Sequence, residues 1–144
     1  MSQKVGVGVG IILVKDGKVL LGKRHDDPEK ADSEMHGEGT WTCPGGGVEF
    51  LESPEETAIR EVEEETGIKV NKARVISMSN DRVEDAHFIT IGLLAEDFEG
   101  EPLVKEPDEI TEWKWFDLNE LPSPLFLCSE KLIKNYLEKK FYSD

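Results

Sequence analysis

Between Gly46 and Ile68 the chain reads GGVEFLESPEETAIREVEEETGI, and this stretch constrains the fold more than any other. Ser53 is a natural helix N-cap, Pro54 suits the first helical position, and Glu56 completes a capping box. A helix is therefore predicted from about Pro54 to Thr66, with Gly67 as its C-terminal stop. Ala58, Ile59 and Val62 form its core face. Four of the five residues from Glu61 to Glu65 are glutamates. At a helix C-terminus they repel one another and oppose a dipole that favours cations there. Glu61, Glu64 and Glu65 lie at i, i+3 and i+4, on one side of the helix. Read one way, this is a solvated acidic face. Read the other, it is a set of hard oxygen ligands suited to Mg2+ or Mn2+, with a phosphate substrate behind the metal.

Two neighbouring features sharpen the second reading. Arg60, inside the acidic cluster, can hold carboxylates such as Glu52 through forked hydrogen bonds, or can simply pair with Glu64 one turn on. Upstream, Cys43-Pro44-Gly45-Gly46-Gly47 is either a tight loop between strands or a backbone that approaches a ligand closely with exposed N–H and C=O groups. Strand, glycine loop, strand, turn and carboxylate helix in this order are more specific than any one part.

The rest of the chain reads as a mixture of strands and helices. Val5–Val14 is an apolar β-branched run, expected as a buried strand and too short to cross a bilayer. Asp16-Gly17 then signals a turn into Lys18–Lys23, which suggests a hairpin. Residues 25–39 form a polar loop, a candidate lid or mobile insertion. Short strands are expected at Thr40–Cys43 and Gly47–Phe50, and longer ones at Ala73–Ser79, Ala86–Ala95 and Glu112–Phe116. A last helix fits about Ser129–Lys139, with Leu132, Ile133, Tyr136 and Leu137 inward. The pattern is an α+β or α-β-α layered single domain spanning 1–144.

Composition narrows the partners. The net charge of −14 lacks the basic excess that a binder of polymeric nucleic acid needs, whereas metal ions can neutralise a free nucleotide locally. The two cysteines, Cys43 and Cys128, have neither CxxC nor zinc spacing, and reduced thiols in the cytoplasm are the expectation. No membrane association is expected.

The segment resembles the Nudix box of the MutT/Nudix hydrolases. Gly46, Glu52, Arg60, Glu61, Val62, Glu64, Glu65, Gly67 and Ile68 fill its fixed places. The likeness extends to Val5–Ile12, Leu20–Arg24, Gly37–Phe50 and Glu101–Phe126, which are similar to small cytosolic members acting on nucleoside triphosphates. The resemblance implies an α-β-α sandwich with a mixed central sheet, and cleavage of a nucleoside diphosphate linked to another group. It implies that Glu61, Glu64 and Glu65 ligate the metal, joined by the Gly45 carbonyl and by Glu106. Glu64 or Glu61 would take the water proton, with Glu106 third, while Arg60 and Glu52 brace the helix. Arg24 matches a phosphate-binding arginine, Gly46 lies in the glycine loop, and Thr90 and Phe126 resemble base-pocket positions. The expected products are a nucleoside monophosphate and pyrophosphate, with sanitation of modified nucleotides as one role.

What reads the base is less sharply marked. Gly6, Gly8 and Gly10 alternate on one face of the first strand, opposite Val5, Val7, Val9 and Ile11. That bare face suits a nucleoside, or equally close helix packing or strand pairing in a homodimer. Leu127 stands where related enzymes often have tryptophan. No asparagine lies near Phe126, which argues against an 8-oxo-guanine site. The proline expected about sixteen residues beyond the box in ADP-ribose enzymes is absent, since Asp81-Arg82-Val83 occupies that region. His36 reads as a turn residue or a phosphate contact.

Overall fold

In the computed structural model, which describes residues 3–31 and 33–144, the first apolar run divides at Leu13. Its longer part is β1 (Val5–Ile12) and its remainder β2 (Val14–Lys15). The expected hairpin is thus shorter than the sequence suggests. Only β2 turns through Asp16 and Gly17, both at positive φ, into β3 (Lys18–Arg24). β1 instead runs parallel to β7 (Ala86–Glu99) over eight residue pairs, a longer ladder than two hairpin residues can offer.

The strands form two sheets. One has the order β5-β1-β7-β6-β9, where β5 is Gly45–Gly47, β6 is Lys69–Val83 and β9 is Tyr142–Ser143. It is mixed: β1 and β5 are antiparallel, β1 and β7 parallel, β6 and β7 antiparallel, β6 and β9 parallel. The other places β3 between β8 (Ile110–Asp117) and β4 (Trp41–Thr42), with β2 pairing at the start of β3.

Two helices cover opposite faces of the larger sheet. Val9 and Ile11 of β1 pack with Ala58 and Val62 of α1 (Pro54–Thr66), while Ile12 packs with Leu132 and Ile133 of α2 (Leu127–Glu138). This is the expected α+β, layered α-β-α arrangement. Val9 and Ile11 thus face one helix and Gly10 and Ile12 the other, as strand geometry requires.

Several boundaries differ from expectation. The strand predicted at Gly47–Phe50 lies earlier, because the chain must turn to deliver Glu52 to the base of α1. Phe50 and Leu51 stand out at that turn, 92% and 87% exposed. Val5 and Val7 are also exposed, because α1 covers β1 only from Val9 onward. β6 and β7 run well past their apolar centres to a two-residue turn at Glu84-Asp85, since ladder bonds continue where both faces are polar. α2 starts at Leu127, and Leu137 points out rather than in. β9 was not expected. It is held by the buried Asn135 amide, which donates to Ser77 Oγ at 2.9 Å and accepts from Ser143 Oγ at 2.7 Å.

Candidate active site at the carboxylate helix

The capping box at Ser53 is formed in both directions, and Gly67 closes α1 in the left-handed conformation. No basic residue lies in the last turn of α1. Lys105, from a distant loop, supplies the missing cation and donates to the Glu63 carbonyl at 3.3 Å.

Exposure falls sharply across the three aligned glutamates. The Glu64 side chain is 52% exposed, that of Glu61 16%, and Glu65 is buried. Glu65 Oε2 accepts the Gly45 amide at 3.2 Å. Burial, then the Glu61 carboxylate beside it, holds Glu65 well above the usual carboxylate range and so favours its protonated form. Glu106 is also pushed up, by partial burial first and then by Glu109, Glu61 and Glu64.

Arg60 binds this cluster together. Its Nε and Nη2 reach the two oxygens of Glu52 at 2.7 and 2.9 Å, a forked pair. Its Nη1 reaches Glu61 at 2.7 Å and Glu64 at 3.3 Å, so the simple pairing with Glu64 is present but is the longest of these contacts. The guanidinium holds the Glu52 carboxyl down at about 2, helped by the Glu49 amide, although partial burial works the other way. Thr57 Oγ1 also donates to Glu52 at 2.8 Å.

Every expected site residue except Glu52 and Arg60 lines one cavity of about 450 Å³. Glu61, Glu64, Glu65 and Glu106 form one end. Gly45 and Gly46 form the neighbouring wall, and a side chain at Gly46 would collide with the Glu61 carboxylate. Arg24, Thr90 and Phe126 also line it, with Thr90 beside Gly8 on the far side of β1 from the Gly45–Gly47 strand.

The glycine face of β1 turns out to serve two purposes. Gly6 makes room for the Phe88 ring and Gly10 for Leu132 of α2, while Gly8 and Gly10 also border the cavity. Arg24 lines the cavity while its Nε and Nη2 donate to the carbonyls of Gly37 and Ala31, and its guanidinium lies 4.9 Å over the Phe126 ring. It fastens the 25–39 loop, whose Ala31, Ser33 and Met35 reach the cavity. His36 sits in a turn at φ 64° with its Nε2 2.9 Å from Asp85.

Phe88, Glu109 and Cys128 also line the cavity and escaped sequence reasoning. Phe88 was within reach, since it lies two residues from Thr90 on the same strand face. Cys128 was not, because it enters only through the position of α2. Burial pushes its thiol up to about 12, as does the Asp81 charge, so it stays protonated.

The donor set suits a hard divalent cation. A buried carboxyl whose protonated form is favoured beside Glu61 would give up that proton to a metal. Glu61, Glu64, Glu65 and Glu106 would hold the ion. Among the described residues no three such side chains are already gathered at ion-binding distance. Arg60 Nη1 engages Glu61 and Glu64 instead, and a cation would compete with it.

Comparison with known proteins agrees with this picture. The NUDIX domain family matches residues 4–136. An ADP-ribose pyrophosphatase of Methanocaldococcus jannaschii is 39% identical over 136 residues, covering 93% of this chain and 74% of the relative. An RNA pyrophosphohydrolase of Gluconacetobacter diazotrophicus is 28% identical, covering 79% and 78%. The crystal structure of a MutT Nudix hydrolase from Burkholderia pseudomallei superposes with a TM-score of 0.81 at 35% identity, covering 92% of this chain and 98% of that one. With its box intact and its carboxylates facing one cavity, the chain belongs to the Nudix family and is a hydrolase of phosphoanhydride bonds.

Proposed function

We propose that the protein hydrolyses a nucleoside triphosphate to the nucleoside monophosphate and pyrophosphate in the presence of Mg2+, with Mn2+ as a substitute. The observation that carries this reading is the layout of the cavity. Carboxylates crowd one end, and a floor without side chains at Gly8 and Gly10 leads to Phe88, Thr90 and Phe126. The first end suits a metal-bound phosphate chain and the second a flat, partly polar ring.

Bound metal supplies charge neutralisation for the phosphates and a more acidic water. The protein's own groups do the rest. Arg60, anchored by Glu52, orients Glu61 and limits its rotation. The Gly45 amide fixes Glu65. Glu64, the most exposed of the three and in contact with Arg60 Nη1 at 3.3 Å, takes the proton of the attacking water at a carboxylate oxygen. Glu106 is the alternative acceptor, and its raised affinity for a proton suits it to that task. Phe126, backed by Arg24, offers a ring edge or face to the base.

The 39% identical relative favours a second substrate, ADP-ribose, which the same chemistry would split into AMP and ribose 5-phosphate. The acidic charge disfavours polymeric RNA as a partner, despite the name of the Gluconacetobacter relative. Among the described residues no helix is long and apolar enough to cross a membrane, and a cytoplasmic location accords with that. The exposed Val5, Val7, Phe50 and Leu51 beside the β5 edge of the sheet would suit a homodimer.

A panel of nucleoside triphosphates and ADP-ribose with Mg2+ tests the proposal. Monophosphate and pyrophosphate should appear in equal amounts from a triphosphate. Orthophosphate as the sole phosphate product would contradict the cleavage site, and turnover of ADP-ribose alone would favour the second reading.

A further inference from the structure

Arg24 ends β3 and is fixed there by backbone bonds on both sides. Its amide donates to the Thr40 carbonyl at 2.8 Å, and the next amide, that of His25, donates to the Glu109 carbonyl at 2.8 Å. The side chain is half-buried, and a guanidinium withdrawn from water needs acceptors. It takes them from the backbone: Nε donates to the Gly37 carbonyl at 3.0 Å and Nη2 to that of Ala31 at 2.8 Å. The Gly37 carbonyl is gripped twice, since Thr40 Oγ1 also donates to it at 2.6 Å.

Phe126, the residue before α2, is held just as firmly. Its amide donates to the Trp41 carbonyl at 2.8 Å, and the Trp41 amide donates to the Pro124 carbonyl at 3.0 Å. The Arg24 guanidinium lies 4.9 Å from the centroid of its ring, inside the range of about 6 Å over which a ring face attracts a cation. Gly37, at φ 95°, packs on the edge of the same ring, and a side chain there would collide with Cδ1 and Cε1. Arg24, Gly37 and Phe126 therefore touch one another pairwise, although they come from β3, the 25–39 loop and the start of α2. Arg24, Ala31 and Phe126 all line the cavity.

We propose that Arg24 is a positioning residue for substrate specificity: by clamping the Ala31 and Gly37 carbonyls while stacking on Phe126, it fixes the wall against which the base packs. It acts on the base through Phe126 and not on the phosphates. This rests on the nucleotide reading above. A phosphate contact needs a point of positive charge, which lysine also supplies. The clamp needs a planar fork that satisfies two carbonyls and covers a ring at once, which lysine cannot supply. The two roles therefore part at one substitution.

The test compares a nucleoside triphosphate with ribose 5-triphosphate, the same phosphate chain without a base, in the presence of Mg2+. The wild type should prefer the nucleotide. Arg24→Lys and Arg24→Gln should each raise its KM about tenfold with kcat nearly unchanged, and should leave kcat/KM for the base-free substrate within about twofold. Phe126→Leu should do the same, and Arg24→Lys added to it should cost little more, because the clamp works through the ring. A near-normal KM in Arg24→Lys, equal losses on both substrates, additive losses in the double variant, or no preference by the wild type would overturn the proposal. If the Arg24 variants do not fold, Gly37→Ala decides, since it pushes on the Phe126 ring and leaves the guanidinium charge in place. It must raise the KM of the nucleotide and spare the base-free substrate, and any other result would overturn the proposal. If the wild type cleaves ADP-ribose and no triphosphate, the triphosphate reading fails by itself. ADP-ribose against its base-free analogue, two riboses joined by a diphosphate, then judges Arg24.

Discussion

Arg60 ties Glu52 to Glu61, which makes the two ends of this contact testable one residue at a time. Glu52 has a folded-state carboxyl at about 2 against an ordinary value of 4.5. A lowered carboxyl contributes stability that is complete above the ordinary value and is lost as pH falls through the folded one. Glu52→Gln should therefore flatten the loss of thermal stability on acidification from about pH 5 to about pH 2. An unchanged acid limb in thermal melts would deny the pair any role in stability. Glu64, half exposed and proposed to take the water proton, is a catalytic prediction: Glu64→Gln should lower kcat by at least about a hundredfold while leaving the circular dichroism spectrum intact. Near-normal turnover would sink the carboxylate-helix mechanism. Leu51 makes a third case. It holds φ at 74° while 87% exposed, so its side chain gains little and its backbone is strained. Leu51→Gly should stabilise the fold by about 1 kcal/mol in denaturant titrations. A loss instead would mean that the leucine is covered in solution.

At the scale of the element, α1 was legible almost residue by residue. Its cap, first-turn proline and glycine stop are local signals, and the structure places its ends at Pro54 and Thr66 as expected. Ser53→Ala should cost about 1 kcal/mol, measured by chemical denaturation, with little change in kcat because Ser53 lies outside the cavity. β1 and β5 were less legible. Nothing local distinguishes a strand that turns back on itself from one that crosses to a parallel partner, and the choice at Leu13 depends on the β7 ladder. The same limit explains Arg24. Sequence puts an arginine at the end of β3 but does not reveal that the 25–39 loop folds back to take two of its donors. Asp81 is buried on β6 with Lys131 of α2 3.0 Å away, a contact that no local signal marks.

At the scale of the molecule, the acidic site and the stability of the fold are coupled through Glu65. This carboxyl is buried against the sheet, bonded to the Gly45 amide and pressed against Glu61. Its folded-state proton affinity is raised, so the native state binds a proton there more tightly than the unfolded chain does. The resulting stability is complete below the ordinary value of 4.5 and is lost as pH rises through the folded one. In EDTA, the melting temperature of the wild type should fall as pH rises above the ordinary carboxylate value through the folded one. Glu65→Gln keeps the hydrogen-bonding shape without the titration and should remove this part of the slope. Mg2+ bound by the carboxylates would replace the proton as their partner, so millimolar Mg2+ should raise the wild-type melting temperature more at the alkaline end than at the acid end. In Glu65→Gln the Mg2+ shift should be smaller and nearly independent of pH. Calorimetric scans of both proteins, with and without Mg2+, read all four outcomes without any substrate. A wild-type Mg2+ shift that is the same at both ends of the range would separate the buried carboxyl from metal binding and leave Glu61, Glu64 and Glu106 to hold the ion alone.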